Sequence, residues 1–249
     1  MIRSAWDRRI ERAGELEQSC PPAAALMRFY GETARFQRQV TQGLAAAAQP
    51  VDERFLLRYL PPLFELVRRE GTAPMAEAAV LAARSPDLWD ALLRSHADPT
   101  DPGYALFGRV LMQPYMEWRA SQSEIDTGTV RPTCPFCGEN PVAAVLRQEG
   151  DGGKRTLLCS LCATEWEFRR MLCPSCGEED RDKLPVYTAE QFAHVRVEAC
   201  ETCRVYLKAV DLTINGLAVP VVDEMASVAL DLWAEEKGYS KLQPNLFQM

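Results

Sequence analysis

The stretch LLCSLCATEWEFRRMLCPSC, residues 157–176, carries two C-x-x-C pairs, Cys159/Cys162 and Cys173/Cys176, only ten residues apart. Either they hold one ion together or they belong to two different sites, and the choice decides how the second half of the chain folds. Two more pairs flank the stretch, Cys134/Cys137 before it and Cys200/Cys203 after it. The first and third pairs share a signature, CPFCGE and CPSCGE, so the chain repeats a unit, offset 39 between Cys134 and Cys173 and 41 between Cys159 and Cys200. Within a unit the two pairs are separated by 21 residues in the first and 23 in the second, a spacing of the four-cysteine ribbon kind. Two thiolates two residues apart grip one ion from a single tight turn, and two such turns face to face complete a tetrahedron. The spacing therefore predicts two successive sites: Cys134, Cys137, Cys159 and Cys162 in the first, Cys173, Cys176, Cys200 and Cys203 in the second.

Gly138 and Gly177 directly follow the second cysteine of their pairs, where a glycine permits the backbone angles that turn amide hydrogens back towards sulfur. A unit of this size is near the lower limit for folding on hydrophobic burial alone. Structural metal binding contributes an apparent ~10 to 16 kcal/mol in small zinc domains, so metal is expected to make these units fold. AAVLRQ and RTLLC in the first unit, and LPVY, HVRVEAC and VYLKAVDLTI in the second, are β-prone runs suited to ribbon hairpins. Four thiolates suit zinc and equally suit mononuclear iron, as in rubredoxin; Fe and Zn both stay open.

The eight paired cysteines are eight of nine in a chain of 249 residues, and the start, MIRSAWDRRIERAGE, lacks the apolar run of a secretory signal. Metal ligation in the cytoplasm is thus expected over disulfides. No stretch approaches a membrane-spanning length of roughly 18 apolar residues, so no stable membrane association is expected. Net charge is −7: residues 1–127 carry 15 basic and 17 acidic groups, 128–215 carry 11 and 13, and 216–249 carry 2 and 5. Because phosphate neutralisation supplies most non-specific nucleic-acid affinity, a chain with no basic segment is not expected to bind nucleic acid.

Before Cys134 the sequence reads helical. ALMRFYGETARFQRQVTQGL places Leu26, Phe29, Tyr30, Thr33, Phe36, Val40 and Leu44 on one stripe behind Pro21 and Pro22, which suit a first turn. RFLLRYLPPLFELVRRE repeats the pattern with a break or kink at Pro61 and Pro62. SPDLWDALLRSH and DPGYALFGRVLMQPYMEW each open on an N-cap followed by proline, Ser85 with Pro86 and Asp101 with Pro102. The aromatic and methionine positions of this part fit core packing at helical spacing. SQSEIDTGTV reads as the linker into the cysteine region. After that region VVDEMASVALDLWAEEKG reads as one helix with Val221, Val222, Met225, Val228, Ala229, Leu232 and Trp233 on a shared face, acids in its first turn, and Lys237 then Gly238 at its end. YSKLQPNLFQM carries no periodic signal.

Nothing points to catalysis, and no catalytic or cofactor-binding residue is assigned. The two histidines, His96 and His194, stand apart from each other and from any metal-ligand motif. DGGK at 151–154 is a hairpin turn, since a phosphate loop needs a longer glycine frame with Ser or Thr after its Lys. Cys20 precedes two prolines and is expected to be buried or neutral. Trp166 is expected to be wedged between the ribbons, with Glu165 and Arg169 solvated beside it; the alternative is a partner-contact patch of these three residues at the junction.

CPFCGENPVAAV, LLCSLCATEWEFRRMLC, VEACETCRVYLKAV and VALDLWAEEKGY together resemble the formate dehydrogenase accessory protein family of bacteria, of the FdhE type. The likeness is strong from about residue 130 to 249, and all four cysteine pairs map onto it. The resemblance implies a cytoplasmic factor that acts on the catalytic subunit of respiratory, molybdenum-dependent formate dehydrogenases before their folded export. It also implies rubredoxin-like sites associated with iron. The expected fold is α+β: a helical bundle of five or six short helices over 1–122, two tandem rubredoxin-like or zinc-ribbon modules over 123–171 and 172–215, and a C-terminal helix and tail over 216–249. An accessory factor with two mononuclear tetrathiolate sites is the first expectation. A rubredoxin-type iron electron carrier is the alternative, and a nucleic-acid-binding zinc ribbon the third.

Overall fold

Proline placement and capping divide the first half of the chain into helices. The computed structural model describes residues 4–48, 50–95, 102–150 and 152–249, so His96 and Asp101, and Asp151 of the DGGK turn, lie outside the described residues. The chain forms two compact units, 1–123 with 246–248, and 124–245 with 249. In the first, α1 (Ala5–Ser19) starts on a capping box: the Asp7 amide donates to Ser4 Oγ and the Ser4 amide to Asp7 Oδ2, each at 3.1 Å. The Ser4 hydroxyl, then Arg38, hold the Asp7 carboxyl down at about 2. α2 (Ala24–Ala46) buries Phe29, Tyr30, Thr33, Phe36, Val40 and Leu44 of the expected stripe, while Leu26 is only half-buried and Met27 takes the inward position. Pro21 and Pro22 form a separate 3-10 turn before it.

Pro61 and Pro62 end a 3-10 segment, Glu53–Tyr59, and open α3 (Leu60–Glu70), where their missing N–H groups cost no intrahelical bond. α4 (Ala73–Ala83), α5 (Trp89–Arg94) and α6 (Pro102–Ser121) complete the α-helices of this unit among the described residues. Ser85 does not cap α5: it precedes a 3-10 turn, Pro86–Leu88, and its side chain makes no capping bond. Inside the unit Arg9 pairs with Glu117 at 2.8 Å, and Gln37 Nε2 donates to the Val110 carbonyl at 3.0 Å. The tail segment without a sequence signal contributes here, as Phe247 stacks on Phe29 with ring centroids 4.9 Å apart.

The second unit is built on one sheet. Its strands are β1 (Pro141–Glu149), β2 (Gly152–Cys159), β3 (Glu165–Glu167), β4 (Val186–Thr188), β5 (Val195–Ala199), β6 (Val205–Asp211) and β7 (Ser240–Lys241). Their order is β3-β2-β1-β6-β5-β4, with β7 on the first residues of β6. Each cysteine unit supplies an antiparallel meander, β1 to β3 from the first and β4 to β6 from the second. The two meanders are not separate hairpins, because β1 and β6 pair in parallel, Ala143 with Lys208 through Leu146 with Asp211. The reason is visible in β1: Pro141 to Leu146 is buried at every position, the mark of a strand covered on both faces and flanked on both sides.

The C-terminal helix is two helices, α7 (Pro220–Ala226) and α8 (Val228–Glu236), broken at Ser227. The break resets the helical phase, so Leu232 is 58% exposed while Leu230 and Ala234 are buried, and the acids Asp223, Glu224 and Asp231 face inward. Gly238 ends α8 with a left-handed φ of 78°. Leu230 and Ala234 join Val195, Val197, Tyr206 and Val210 in one apolar cluster. Ala143, Val145 and Leu158 form another, against which Val221 packs. No helix among the described residues is long and apolar enough to cross a membrane.

Candidate metal centres

Four copies of one turn carry the eight cysteines. In the first, the Cys134 amide donates to the Glu139 carbonyl and the Gly138 amide to the Cys134 carbonyl; Cys173, Glu178 and Gly177 repeat these bonds. Cys159 donates to Thr164, and Cys200 to Val205, in the same way. The residue after each second cysteine is left-handed: Gly138 at φ 81° and Gly177 at 77°, but also Ala163 at 53° and Arg204 at 58°. The signature glycines therefore mark half of these positions, while Ala163 and Arg204 accept a backbone cost of roughly 1 to 3 kcal/mol each to close the same turn.

The turns meet as the spacing predicts. Cys134 Sγ lies 3.5 Å from Cys162 Sγ, and Cys137 Sγ lies 3.3 Å from Cys159 and 3.6 Å from Cys162. In the second set Cys173 is 3.8 Å from Cys203, and Cys176 is 3.7 Å from Cys200. All four sulfurs of each set lie within 4.8 Å of one another. A disulfide would bring sulfurs to about 2.05 Å, whereas a tetrahedron with metal–sulfur bonds of about 2.3 Å has edges of about 3.8 Å. Each set is thus capable of coordinating one Fe or Zn ion, and the second and third turns do not share a cage.

Amides support the sulfurs: those of Leu161 and Cys162 each point at Cys159 Sγ from 3.4 Å. Thr164 Oγ1 stands 3.1 Å from Cys162 Sγ, a partner the spacing does not reveal. In the second set Thr202 Oγ1 donates to Glu178 Oε2 at 2.5 Å, tying the two turns together beside the sulfurs. Without a cation, four thiols this close cannot all ionise. Burial pushes the Cys173 thiol up to about 12. In the first set the bond from Cys137 drives Cys134 below the usual thiol range, and the same neighbour contacts, led by Cys134, drive Cys137 and Cys159 above it. Held by these four sulfurs, a divalent ion would resolve this competition by displacing the protons.

The two sets differ in access. No cysteine of the first is exposed, whereas Cys176 is exposed and Cys203 half-buried in the second. Chelator challenge of metal-loaded protein is therefore expected to release metal in two phases separated by roughly tenfold in rate, the fast one from the second set. A Cys176→Ser variant should abolish the slow-fast distinction by losing the fast-released ion, and a single phase in the wild type would contradict the asymmetry.

The remaining sequence-selected residues serve the scaffold. Trp166 is fully buried in β3 and its indole N–H donates to the Arg131 carbonyl at 2.8 Å, anchoring it in its own module. Glu165 is not simply solvated, since Arg147 NH2 donates to its Oε1 at 2.8 Å and Thr156 Oγ1 to its Oε2 at 3.0 Å. Arg169 is exposed and pairs with Glu179. His194 Nε2 sits 2.8 Å from Asp223 Oδ1, an acid that also accepts from the Val219 amide at 2.7 Å at the start of α7. Cys20 is half-buried.

A polar cluster absent from the sequence reading lies between the sheet and its helices. Lys208, fully buried in β6, donates to Asp231 Oδ2 at 2.6 Å and lies 3.0 Å from Glu224 Oε1. Lys241 of β7 reaches the same two acids at 2.5 and 3.2 Å, and Tyr206 donates to Asp231 at 2.8 Å. Burial alone would raise the Glu224 carboxyl, but Lys208 and then Lys241 hold it below the usual carboxylate range. Burial and the adjacent Asp231 charge push the Tyr206 phenol well up, so it remains a donor.

Comparison with known proteins places this geometry. Residues 133–170 match the family model described as "FdhE, central domain" and residues 171–248 the model "FdhE, C-terminal domain". An FdhE homolog of Pseudomonas aeruginosa is 32% identical over 98% of this chain and 90% of its own length. One from Aquifex aeolicus is 31% identical over 76% of this chain and 69% of its own. The crystal structure of the FdhE protein from Pseudomonas aeruginosa superposes with a TM-score of 0.76 at 26% identity, covering 99% of this chain and 97% of that one. With paired four-cysteine sets on a shared sheet and relatives matching along nearly its whole length, the chain belongs to the FdhE family.

Proposed function

We propose that this chain is a cytoplasmic maturation factor for respiratory, molybdenum-dependent formate dehydrogenase, holding the catalytic subunit before its folded export. The observation that carries the reading is the pair of four-cysteine sets, each with all its sulfurs within 4.8 Å of one another, in a chain of this family. Cys134, Cys137, Cys159 and Cys162 would hold one Fe or Zn ion, and Cys173, Cys176, Cys200 and Cys203 the other. Bound there, an ion supplies a cross-link between distant turns and, as iron, a one-electron couple. The chain's own part is to aim amides at the sulfurs and to present rigid turns from two rubredoxin-like or zinc-ribbon modules, 123–171 and 172–215. These join a helical body over 1–122 and a C-terminal element over 216–249. Rigid modules engage a client at low ordering cost.

The test is co-expression of the affinity-tagged chain with the formate dehydrogenase catalytic subunit. Stoichiometric co-purification is expected, together with a loss of roughly tenfold or more in formate-dependent dye reduction when the chain is deleted. Full activity in the deletion strain without co-purification would overturn the proposal. Exposure of Cys176 favours the electron-carrier reading as the second. A red, reversibly bleaching protein that leaves formate dehydrogenase activity untouched would establish it instead.

A further inference from the structure

The two cysteine units repeat one another, and their surroundings differ at two positions that face sulfur. At the offset of 41 that relates Cys159 to Cys200, Thr164 corresponds to Val205; at the offset of 39 that relates Cys134 to Cys173, Phe136 corresponds to Ser175. Each unit thus has one hydroxyl at these two positions, placed where the other unit carries an apolar side chain. Both hydroxyls reach the same part of their set. Thr164 Oγ1 is 3.1 Å from Sγ of Cys162, the fourth cysteine of the first set. The Ser175 hydroxyl comes from the opposite turn and bonds to the sulfur of Cys203, the fourth cysteine of the second.

Neither hydroxyl is needed to close its turn. The Cys159 and Cys200 amides donate to the carbonyls of Thr164 and Val205 alike, each at 2.9 Å. The Cys134 and Cys173 amides likewise donate to Glu139 and Glu178 at 2.9 Å, whether Phe136 or Ser175 stands between. The hydroxyls are therefore surplus to the fold and directed at the sulfurs. A thiolate that holds a metal has no proton to give, so in a loaded cage both hydroxyls can only donate to it. Such a bond stabilises the negative charge on sulfur. Four thiolates around iron carry one more net negative charge in the reduced form than in the oxidised form, so the same bond raises the reduction potential.

We propose that Thr164 and Ser175 tune the two metal centres separately, Thr164 by donating a hydrogen bond to the Cys162 thiolate and Ser175 by donating one to the Cys203 thiolate. Both are positioning residues that act on the ion through sulfur and do not touch it. The proposal rests on the reading of two tetrathiolate sites given above and is independent of the client protein.

The test loads the full-length chain anaerobically with iron(II), oxidises it with ferricyanide and titrates it with dithionite, each iron(III) taking up one electron, while the thiolate-to-iron absorption band is followed. Thr164→Val, which borrows the residue of the second unit, should move half of the amplitude, one iron of two, to lower potential. The expected shift is about tenfold in the ratio of oxidised to reduced iron, ~59 mV for one electron. Ser175→Ala should move the other half in the same direction. Thr164→Ser keeps the hydroxyl and should titrate with wild type. In cobalt(II)-loaded protein the same two variants should each shift half of the thiolate-to-cobalt band to lower energy, because a sulfur without its hydrogen bond gives up electron density more readily. Curves and bands that superimpose on wild type in Thr164→Val or Ser175→Ala, with two ions bound, overturn the assignment and leave the two cages standing. So does a shift in Thr164→Ser equal to that in Thr164→Val, or a shift of the whole amplitude in either variant. A wild-type chain that retains neither iron nor cobalt sinks the reading of two tetrathiolate sites, and the assignment with it.

Discussion

Replacing Cys159 and Cys162 together by alanine is expected to leave metal-loaded protein with one ion per chain in place of two and to unfold the first cysteine module. The substitution removes half the sulfurs of one cage, and with them binding energy of an apparent ~10 to 16 kcal/mol. That is comparable to the ~5 to 15 kcal/mol by which a whole domain is stable. The consequence extends past the turn because Cys159 is the last residue of β2, whose register to β1 begins at the pair Pro141 with Cys159. β3 in turn hangs on β2 through Leu158 with Glu165. Amide hydrogen exchange should therefore show β1, β2 and β3 losing protection while elemental analysis gives one metal per chain. Two ions per chain with protected strands would show that the cage is dispensable for the fold.

Lys208→Met is expected to cost roughly 3 to 5 kcal/mol in urea denaturation although methionine fills nearly the same space. The loss comes from what is left behind: Glu224 and Asp231 are both buried, at 0% and 3% exposure, and would keep only Lys241 as a counter-charge. The ammonium of Lys208 also donates to the Glu224 carbonyl and to Ser227 Oγ at 3.2 Å, and Ser227 is where α7 gives way to α8. The pH dependence follows from the depressed Glu224 carboxyl. Its contribution is complete above the ordinary carboxylate value of 4.5 and is lost as pH falls through the lower folded value. In the variant burial acts on Glu224 with less opposition, its protonation comes at higher pH, and the stability gap to wild type narrows as the solution is acidified. A second change, Glu224→Gln, should recover part of the loss. A Lys208→Met chain as stable as wild type at neutral pH would mean that the buried charges are not paired as described.

The cysteine arithmetic was legible because ligand geometry is local: a C-x-x-C turn needs few residues, and the 39- and 41-residue offsets show which turns face each other. The helical stripe of α2 was legible for the same kind of reason, a period in one segment. What escaped depended on residues distant in sequence. The joining of both meanders through β1 and β6 is a long-range pairing, hinted at only by the unbroken apolar run at Pro141 to Leu146. In VVDEMASVALDLW the helical period passes straight through Ser227, and only packing against the sheet makes the break and turns Leu232 outward. A signal for the buried charges did exist. Alternation along VYLKAV puts Lys208 on the same side as Tyr206 and Val210, so a lysine on a core face called for acids opposite it.

The parallel seam between β1 and β6 has a temporal consequence. During synthesis β1 leaves the ribosome with β2 available as a neighbour, but the residues that close its other flank, Lys208 to Asp211, emerge only after both remaining meander strands. Loading the first cage can order its own turns early, yet the sheet stays open-sided until the second module has been translated. A nascent chain halted between the modules would thus expose a sticky strand flank until β6 has been made.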